Sequence, residues 1–279
     1  MKQKIIIILF SIFIMQASAQ PTFIATRIGK IAVYVHKGSS SATPVILLHG
    51  VYFDHHLWDE QIKELSNRTV ITLDMPLHGL SRTITKSDWN LQDCASMLIE
   101  ILDSLKVSKV IAIGHSWGSM SILRAAYQHP GRFDAVGLFN MPFQAVTTKQ
   151  KIIFGLQHTL LSFRSFYTRQ AASVLFGRTA MAEKPQLLSH LRRTMEILSN
   201  REIRQVDKKV IFDAEDASQL TRELKVKAIA LRGEEDYLPA PPGIETRVIK
   251  GGHVSPLSNP DETSACVLTL LEALDKRKQ

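Results

Sequence analysis

Short, wholly apolar runs alternate along this chain with stretches in which apolar residues return every three or four positions. The first pattern belongs to strands buried on both faces, the second to amphipathic helices. Thr26 to His36 predicts an early strand pair, clearest over Ile31 to Val35. Val45 to Leu48, opened by Pro44, predicts a buried strand, and Thr69 to Leu73, Lys109 to Ile113, Ala135 to Phe139, Lys227 to Leu231 and Arg247 to Ile249 predict five more. Helical spacing falls between them, at Leu57 to Leu65, Leu91 to Leu105 and Met120 to Tyr127, and again at Thr263 to Leu274. Asn259, Pro260 and Glu262 read as the capping box of that last helix. Strands that alternate with helices predict an α/β fold: a mostly parallel central sheet with helices on both faces.

One long stretch breaks the alternation. Met141 to Leu224 offers no strand, and sets Phe143, Phe154, Phe163, Phe166, Tyr167 and Phe176 among helix-forming residues. Between Ala145 and Val210 lysines and arginines outnumber acids twelve to four, in a chain whose net charge is +8. The positive excess is therefore concentrated in what reads as an inserted helical lid. It is either a solvated helical face or a weak attraction for anionic membrane surfaces or acidic substrates. Nothing beyond charge suggests nucleic-acid binding.

The amino terminus reads differently. Lys2 and Lys4 precede an apolar run from Ile5 to Met15, and Ala17-Ser18-Ala19 follows it. That run falls short of the roughly 18 residues needed to span a bilayer. The pattern predicts a cleavable signal peptide, cut between Ala19 and Gln20, and a periplasmic or secreted protein. The expected layout is signal peptide 1–19, core 20–140, lid 141–224 and the rest of the core over 225–279. Apolar residues at 45% and charged residues at 22% describe a chain able to build a core. Two cysteines exclude a disulfide scaffold and a cysteine-built metal centre. Cys94 and Cys266 fall in predicted helices and are expected as buried thiols. No metal or cofactor is expected.

Gly114-His115-Ser116-Trp117-Gly118 lies between a predicted strand and a predicted helix. Glycines on either side leave room for a sharp strand-to-helix turn that exposes a serine hydroxyl. The helix start supplies free N–H groups where an oxyanion can settle. Serine needs a base, and the base an orienting acid. His253 follows Gly251 and Gly252 after the last strand, where a glycine-rich turn frees it to swing toward the sheet edge. Asp236, next to Glu234 and Glu235, follows the strand Lys227 to Leu231. The order is serine, acid, histidine. His49-Gly50-Val51-Tyr52 follows the strand Val45 to Leu48, and the N–H groups of Val51 and Trp117 are the expected oxyanion hole, with Tyr52 as the neighbouring alternative. His49, Gly50, Tyr52 and His115 are candidate substrate-binding residues, His115 more as a packing neighbour than a participant.

Together these residues resemble the α/β-hydrolase superfamily, over about residues 26–275. His49-Gly50, Trp58 with Gln61-Ile62, Asp74 to Ser81, the elbow Gly114 to Gly118, Gly233 to Asp236 and Gly252-His253 occur in the family's order. The resemblance implies an inserted lid after the strand Ala135 to Phe139 and a Ser116, Asp236, His253 triad. Serine at 116 resembles the esterase, thioesterase, aminopeptidase and C–C hydrolase branches; the dehalogenase and epoxide hydrolase branches carry aspartate there. Two departures stand out. Leu77 replaces a frequent glycine, and only sixteen residues, with Pro239, Pro241 and Pro242 among them, separate Asp236 from His253, where the family usually fits a helix. Asn140, where some relatives keep the acid, is uncharged. The expected activity is hydrolysis of a small-molecule carboxylic ester or thioester through an acyl-enzyme. The alternatives are an N-terminal prolyl peptidase, suggested by Ser116-Trp-Gly-Ser119 but needing an acid in the lid, a C–C bond hydrolase, or a non-catalytic ligand-binding protein on the same scaffold.

Overall fold

A computed structural model describes residues 19–275, so nearly all of the expected signal peptide lies outside the described residues. The strands are β1 (Pro21–Ala25), β2 (Gly29–His36), β3 (Val45–Leu48), β4 (Val70–Leu73), β5 (Thr83–Ile84), β6 (Val110–His115), β7 (Phe133–Phe139), β8 (Ala228–Gly233) and β9 (Thr246–Ile249). They form one sheet in the order β1-β2-β4-β3-β6-β7-β8-β9, with β5 paired to β2. From β4 to β9 every neighbour is parallel; β1, β2 and β5 are antiparallel additions at one edge. The expected early pair is shifted: Thr26 and Gly29 exchange backbone hydrogen bonds of 2.9 and 3.2 Å, so Thr26 to Ile28 is the turn and the first strand lies before it.

The helices of the core are α1 (Asp59–Glu64), α2 (Leu91–Ser104) and α3 (Trp117–Gln128). Between β7 and β8 come α4 (Thr148–Gln157), α5 (Arg164–Phe176), α6 (Arg178–Glu183), α7 (Gln186–Glu196), α8 (Asn200–Asp207) and α9 (Ser218–Arg222). This insert holds no strand, as the sequence predicted. The chain closes with α10 (Ser255–Ser258) and α11 (Pro260–Asp275). At the start of α11 the Asn259 amide donates to Glu262 at 2.7 Å.

Why these residues make these elements is plainest at the centre. Val45, Ile46, Leu47 and Leu48 are wholly buried between helix layers. Each such side chain contributes about 1.5–3 kcal/mol by leaving water. Cys94 and Cys266 are buried free thiols on α2 and α11. The order of the parallel strands has a direct consequence for function. The residues that follow β3, β6, β7, β8 and β9 are Val51, Ser116, Asn140, Asp236 and His253, so the sheet lines them up side by side at its carboxyl edge. The chain leaves β3 in one direction to β4 and returns on its other side at β6. Ligands of open α/β sheets gather at such a reversal.

Candidate active site

Ser116 sits on the turn between β6 and α3 with φ 51° and ψ −113°, a strained conformation for a residue with a side chain. The turn is over-determined: the Ser116 N–H donates to Phe139 O at 2.9 Å, and Ser119 Oγ donates to Gly114 O at 2.6 Å. The helix α3 begins at Trp117, three residues earlier than its apolar spacing suggested, because Gly118 and Ser119 mask the signal.

The serine hydroxyl lies 2.9 Å from His253 Nε2. His253 Nδ1 faces both oxygens of Asp236, at 3.1 and 3.3 Å. One tautomer satisfies the whole row: Nδ1–H donates to the carboxylate and Nε2 accepts from serine. The proline-rich loop after Asp236 needs no helix to bring the acid within reach of the ring. Asp236 also accepts from Asn140 Nδ2 at 2.8 Å and from Leu238 N–H at 3.2 Å. Burial alone would raise its pKa; the adjacent imidazole and these donors outweigh burial and hold the carboxyl below its ordinary value. Of the neighbouring acids, Glu235 accepts from the Arg178 N–H at 2.9 Å and so ties the acid loop to the start of α6.

His253 is not free to swing, contrary to the expectation from its glycines. Its N–H donates to Leu175 O at 2.7 Å and the Gly252 N–H to Phe176 O at 3.1 Å, so the end of α5 grips the histidine loop. From the other side His115 Nε2–H donates to His253 O at 2.8 Å. Tyr237 stacks on the imidazole with ring centres 5.1 Å apart.

The turn after β3, expected to supply oxyanion donors, is built around Gly50. A Cβ there would stand 2.5 Å from His115 Nδ1 and 2.9 Å from Ser116 Cβ, so only glycine permits the approach. Of the two residues considered as donors from this turn, Tyr52 is excluded: its N–H already donates to His78 Nε2 at 3.0 Å. Among the described residues the Val51 N–H has no acceptor, and Trp117 supplies a first-turn N–H of α3. Trp117 follows Ser116 directly, and Val51 lines the same cavity as Ser116. Leu77 keeps the left-handed conformation, φ 70°, that a glycine would adopt without strain.

A cavity of about 780 Å³ opens over the serine, between the sheet edge and the helical insert. Val51, Tyr52, His115, Ser116 and His253 line it; His49 and Gly50 do not. His49 is fully buried instead, donating from Nδ1 to Gly50 O at 2.7 Å and accepting from Met75 N–H at 2.8 Å. The rest of the wall is apolar or carries amides and the hydroxyls of Thr147, Tyr167 and Tyr237, and no aspartate, glutamate, lysine or arginine belongs to it. The basic residues of the insert thus lie outside the cavity wall. Ile153, Phe166, Val174 and Tyr237, 45–55% exposed, form its apolar mouth. Among the described residues no three His, Cys, Asp or Glu side chains gather as metal ligands do.

Three buried histidines serve the turns as backbone connectors. His78 donates from Nδ1 to Pro76 O at 3.0 Å while accepting from Tyr52, in the same manner as His49. Burial lowers His49 to about 3, His78 to about 4 and His115 to about 3, so all three are neutral at neutral pH. In the unfolded chain they would titrate near 6.5. Acid therefore protonates the unfolded chain first: the stability carried by the neutral rings is present above pH 6.5 and is lost as pH falls toward 4. One unit below 6.5 each ring costs about 1.4 kcal/mol, or about 4 kcal/mol for the three. Urea unfolding at pH 7.5 and 5.5 is expected to show a loss of that order, and equal midpoints would mean the rings are charged in the native state.

His78 and Asn140 are the positioning residues that sequence reasoning passed over. His78 stood in the quoted Asp74 to Ser81 motif without a role. Asn140 lacks the charge that would mark it in the sequence.

The sequence pattern of the alpha/beta hydrolase fold matches residues 43–237. Among curated proteins, the chain is 28% identical over 126 residues to an epoxide hydrolase of Caballeronia sordidicola, covering 44% of this chain and 38% of that protein. It is 33% identical over 112 residues to the (E)-2-((N-methylformamido)methylene)succinate hydrolase of Acinetobacter baylyi, covering 40% and 41%. These matches span about two fifths of the relatives' own length. Among solved structures, a thermophilic esterase from Thermogutta terrifontis superposes with TM-score 0.77 at 19% identity, over 92% of this chain and 99% of that one. The enol-lactonase of Burkholderia xenovorans LB400 gives 0.79 at 18%, over 90% and 100%. With its parallel sheet, elbow and matched sequence pattern, the chain belongs to the alpha/beta hydrolase fold family.

Proposed function

We propose that the protein is an exported serine hydrolase that cleaves an uncharged carboxylic ester or thioester through an acyl-enzyme on Ser116. The observation that carries this reading is the unbroken proton path from Ser116 Oγ to His253 Nε2, 2.9 Å, and from Nδ1 to Asp236, 3.1 Å. Ser116 attacks the acyl carbon while His253 takes its proton. The oxyanion rests on the N–H groups of Val51 and Trp117, and His253 then protonates the leaving group. Water, activated by the same imidazole, releases the acid. An epoxide-opening reading would call for a carboxylate where Ser116 stands. The amine recognition of a prolyl peptidase would call for an acid facing the cavity, and the buried lid acid Asp207 is not part of its wall.

The wall supports an uncharged substrate. A carboxylate carried into a cavity without a counter-ion loses its hydration with nothing to replace it. Export is part of the proposal and rests on the charged, apolar and small-residue pattern of positions 2–19; β1 begins at Pro21, so a cut after Ala19 would spare every strand.

The test has two arms. A fluorophosphonate should add one covalent phosphonyl group to Ser116, located by peptide mass. A p-nitrophenyl ester with a terminal carboxylate should be cleaved at least about 100-fold less efficiently than its methyl-ester counterpart. Absence of the adduct refutes the serine mechanism; an adduct with equal rates on both esters refutes only the uncharged substrate.

A further inference from the structure

Four polar side chains meet behind the cavity wall, between the turn after β3 and the helical insert. Tyr52 Oη donates to Asp207 Oδ1 at 2.6 Å, the short contact of a charge-assisted bond. His158 Nε2–H donates to Asp207 Oδ2 at 2.7 Å. The Tyr167 hydroxyl lies 3.3 Å from that of Tyr52, and since the Tyr52 proton is committed to the carboxylate, Tyr167 is the donor. Asp207 and both tyrosines are buried, and the four residues come from the turn after β3, the turn that follows α4, α5 and the end of α8. None of these contacts belongs to the proton path through Ser116.

Tyr52 is the next residue after Val51, and its backbone is unusual. Its φ is 72°, in the left-handed region that side chains disfavour. A residue stays there only when its surroundings hold it. Here His78 holds the N–H at 3.0 Å and Asp207 holds the hydroxyl at 2.6 Å, one anchor at each end of the residue. The peptide between Val51 and Tyr52 cannot rotate without breaking the His78 contact, and the peptide before it, which carries the Val51 N–H, is joined to His49 Nδ1 through Gly50 O at 2.7 Å, so the Tyr52 anchors hold the far side of the turn. We infer that Asp207, an acid of the lid, is a positioning residue for the oxyanion hole: through the Tyr52 hydroxyl it fixes the turn that aims the Val51 N–H at Ser116.

This inference rests on the serine-hydrolase reading and deepens it. The insert then does more than cover the cavity. Loss of the Asp207 anchor leaves the triad in place and misaligns one oxyanion donor. Removal of a whole donor costs about 10²–10³ in kcat, so a donor loosened rather than removed should cost about 10- to 100-fold. The substrate carbonyl in the ground state presses on that donor far less than the tetrahedral oxyanion does, so KM should stay within about twofold.

The experiment compares Tyr52→Phe, which deletes one oxygen and keeps the ring, with Asp207→Asn and with the double variant, all in the full chain. Steady-state hydrolysis of p-nitrophenyl butyrate is measured together with inhibition by an aryl trifluoromethyl ketone, which forms a tetrahedral adduct on serine. Each single variant should lose kcat and ketone affinity in parallel, about 10- to 100-fold, with KM nearly constant. The double variant should be no worse than Asp207→Asn, because one anchor has been lost in both. Unchanged kcat in Tyr52→Phe overturns the inference, and so do losses that multiply in the double variant or a rise in KM with ketone affinity intact. Should Asp207→Asn fail to fold, Tyr52→Phe alone decides. Wild-type protein that forms no fluorophosphonate adduct refutes the hydrolase reading itself, an outcome distinct from all of these.

Discussion

Ser116→Ala is expected to lower kcat on p-nitrophenyl butyrate by about 10⁴-fold or more, and His253→Ala by a similar factor. In the proposed reaction the two residues make one device. The hydroxyl is a weak nucleophile until Nε2, 2.9 Å away, takes its proton, and the imidazole has no proton to deliver until it has taken that one. Either deletion removes the same relay, so the double variant should be no slower than the worse single. KM should change little, because the wall that holds the ester is mostly apolar and survives both substitutions. Asp236→Asn should cost about 10³–10⁴ by a different route. An amide donor in place of the carboxylate favours the wrong tautomer, and Asn140 Nδ2, 2.8 Å from the present carboxylate, would face a group that can no longer accept as well. Active-site titration with a fluorophosphonate would count competent molecules for Asp236→Asn. A Ser116→Ala enzyme that kept a tenth of wild-type turnover would place the chemistry elsewhere.

How much of this was readable beforehand depends on where the constraint is written. The elbow was legible because its geometry demands residue types: glycines flanking a serine, between a strand and a helix. The central strands were legible because burial on both faces leaves no polar position, as in Val45 to Leu48. The hydrogen-bonded row of Ser116, His253 and Asp236 was legible by order along the chain. Asn140 was not, because an uncharged residue after a strand carries no mark of its purpose until β7 is known to lie beside β8. The grip of Leu175 and Phe176 on the histidine loop is made by backbone carbonyls, which every residue possesses. His49 misled because the same ring that could touch a substrate is equally suited to join two turns, and only burial distinguishes the roles. The knot of Tyr52 with Asp207 spans 155 positions, beyond any local pattern.

A large effect on folding is expected from a single methyl group at Gly118. On α3, its Cβ would stand 2.3 Å from Leu48 O and 2.7 Å from Leu48 Cβ. The obstacle is backbone, and backbone in the middle of the sheet: Leu48 pairs with Leu73 of β4 on one side and with Gly114 of β6 on the other. Neither neighbour can retreat without disturbing the elbow or the oxyanion turn, since Gly114 precedes Ser116 by two residues and Val51 follows Leu48 by three. Overpacking a tight core costs about 1–3 kcal/mol when side chains can adjust, and Gly118→Ala is expected at or above the upper end because none can. Helix propensity works in the opposite direction, favouring alanine by about 1 kcal/mol, and is too small to reverse the sign. Gly155→Ala is the matched control. It is the same substitution in α4, where the new Cβ meets nothing within 4 Å, so propensity acts alone and the variant should gain about 0.5–1 kcal/mol. Urea unfolding of both variants reads the two signs directly. A Gly118→Ala protein as stable as wild type would mean that α3 can stand farther from β3, and with it that the strained turn at Ser116 is not held by this contact.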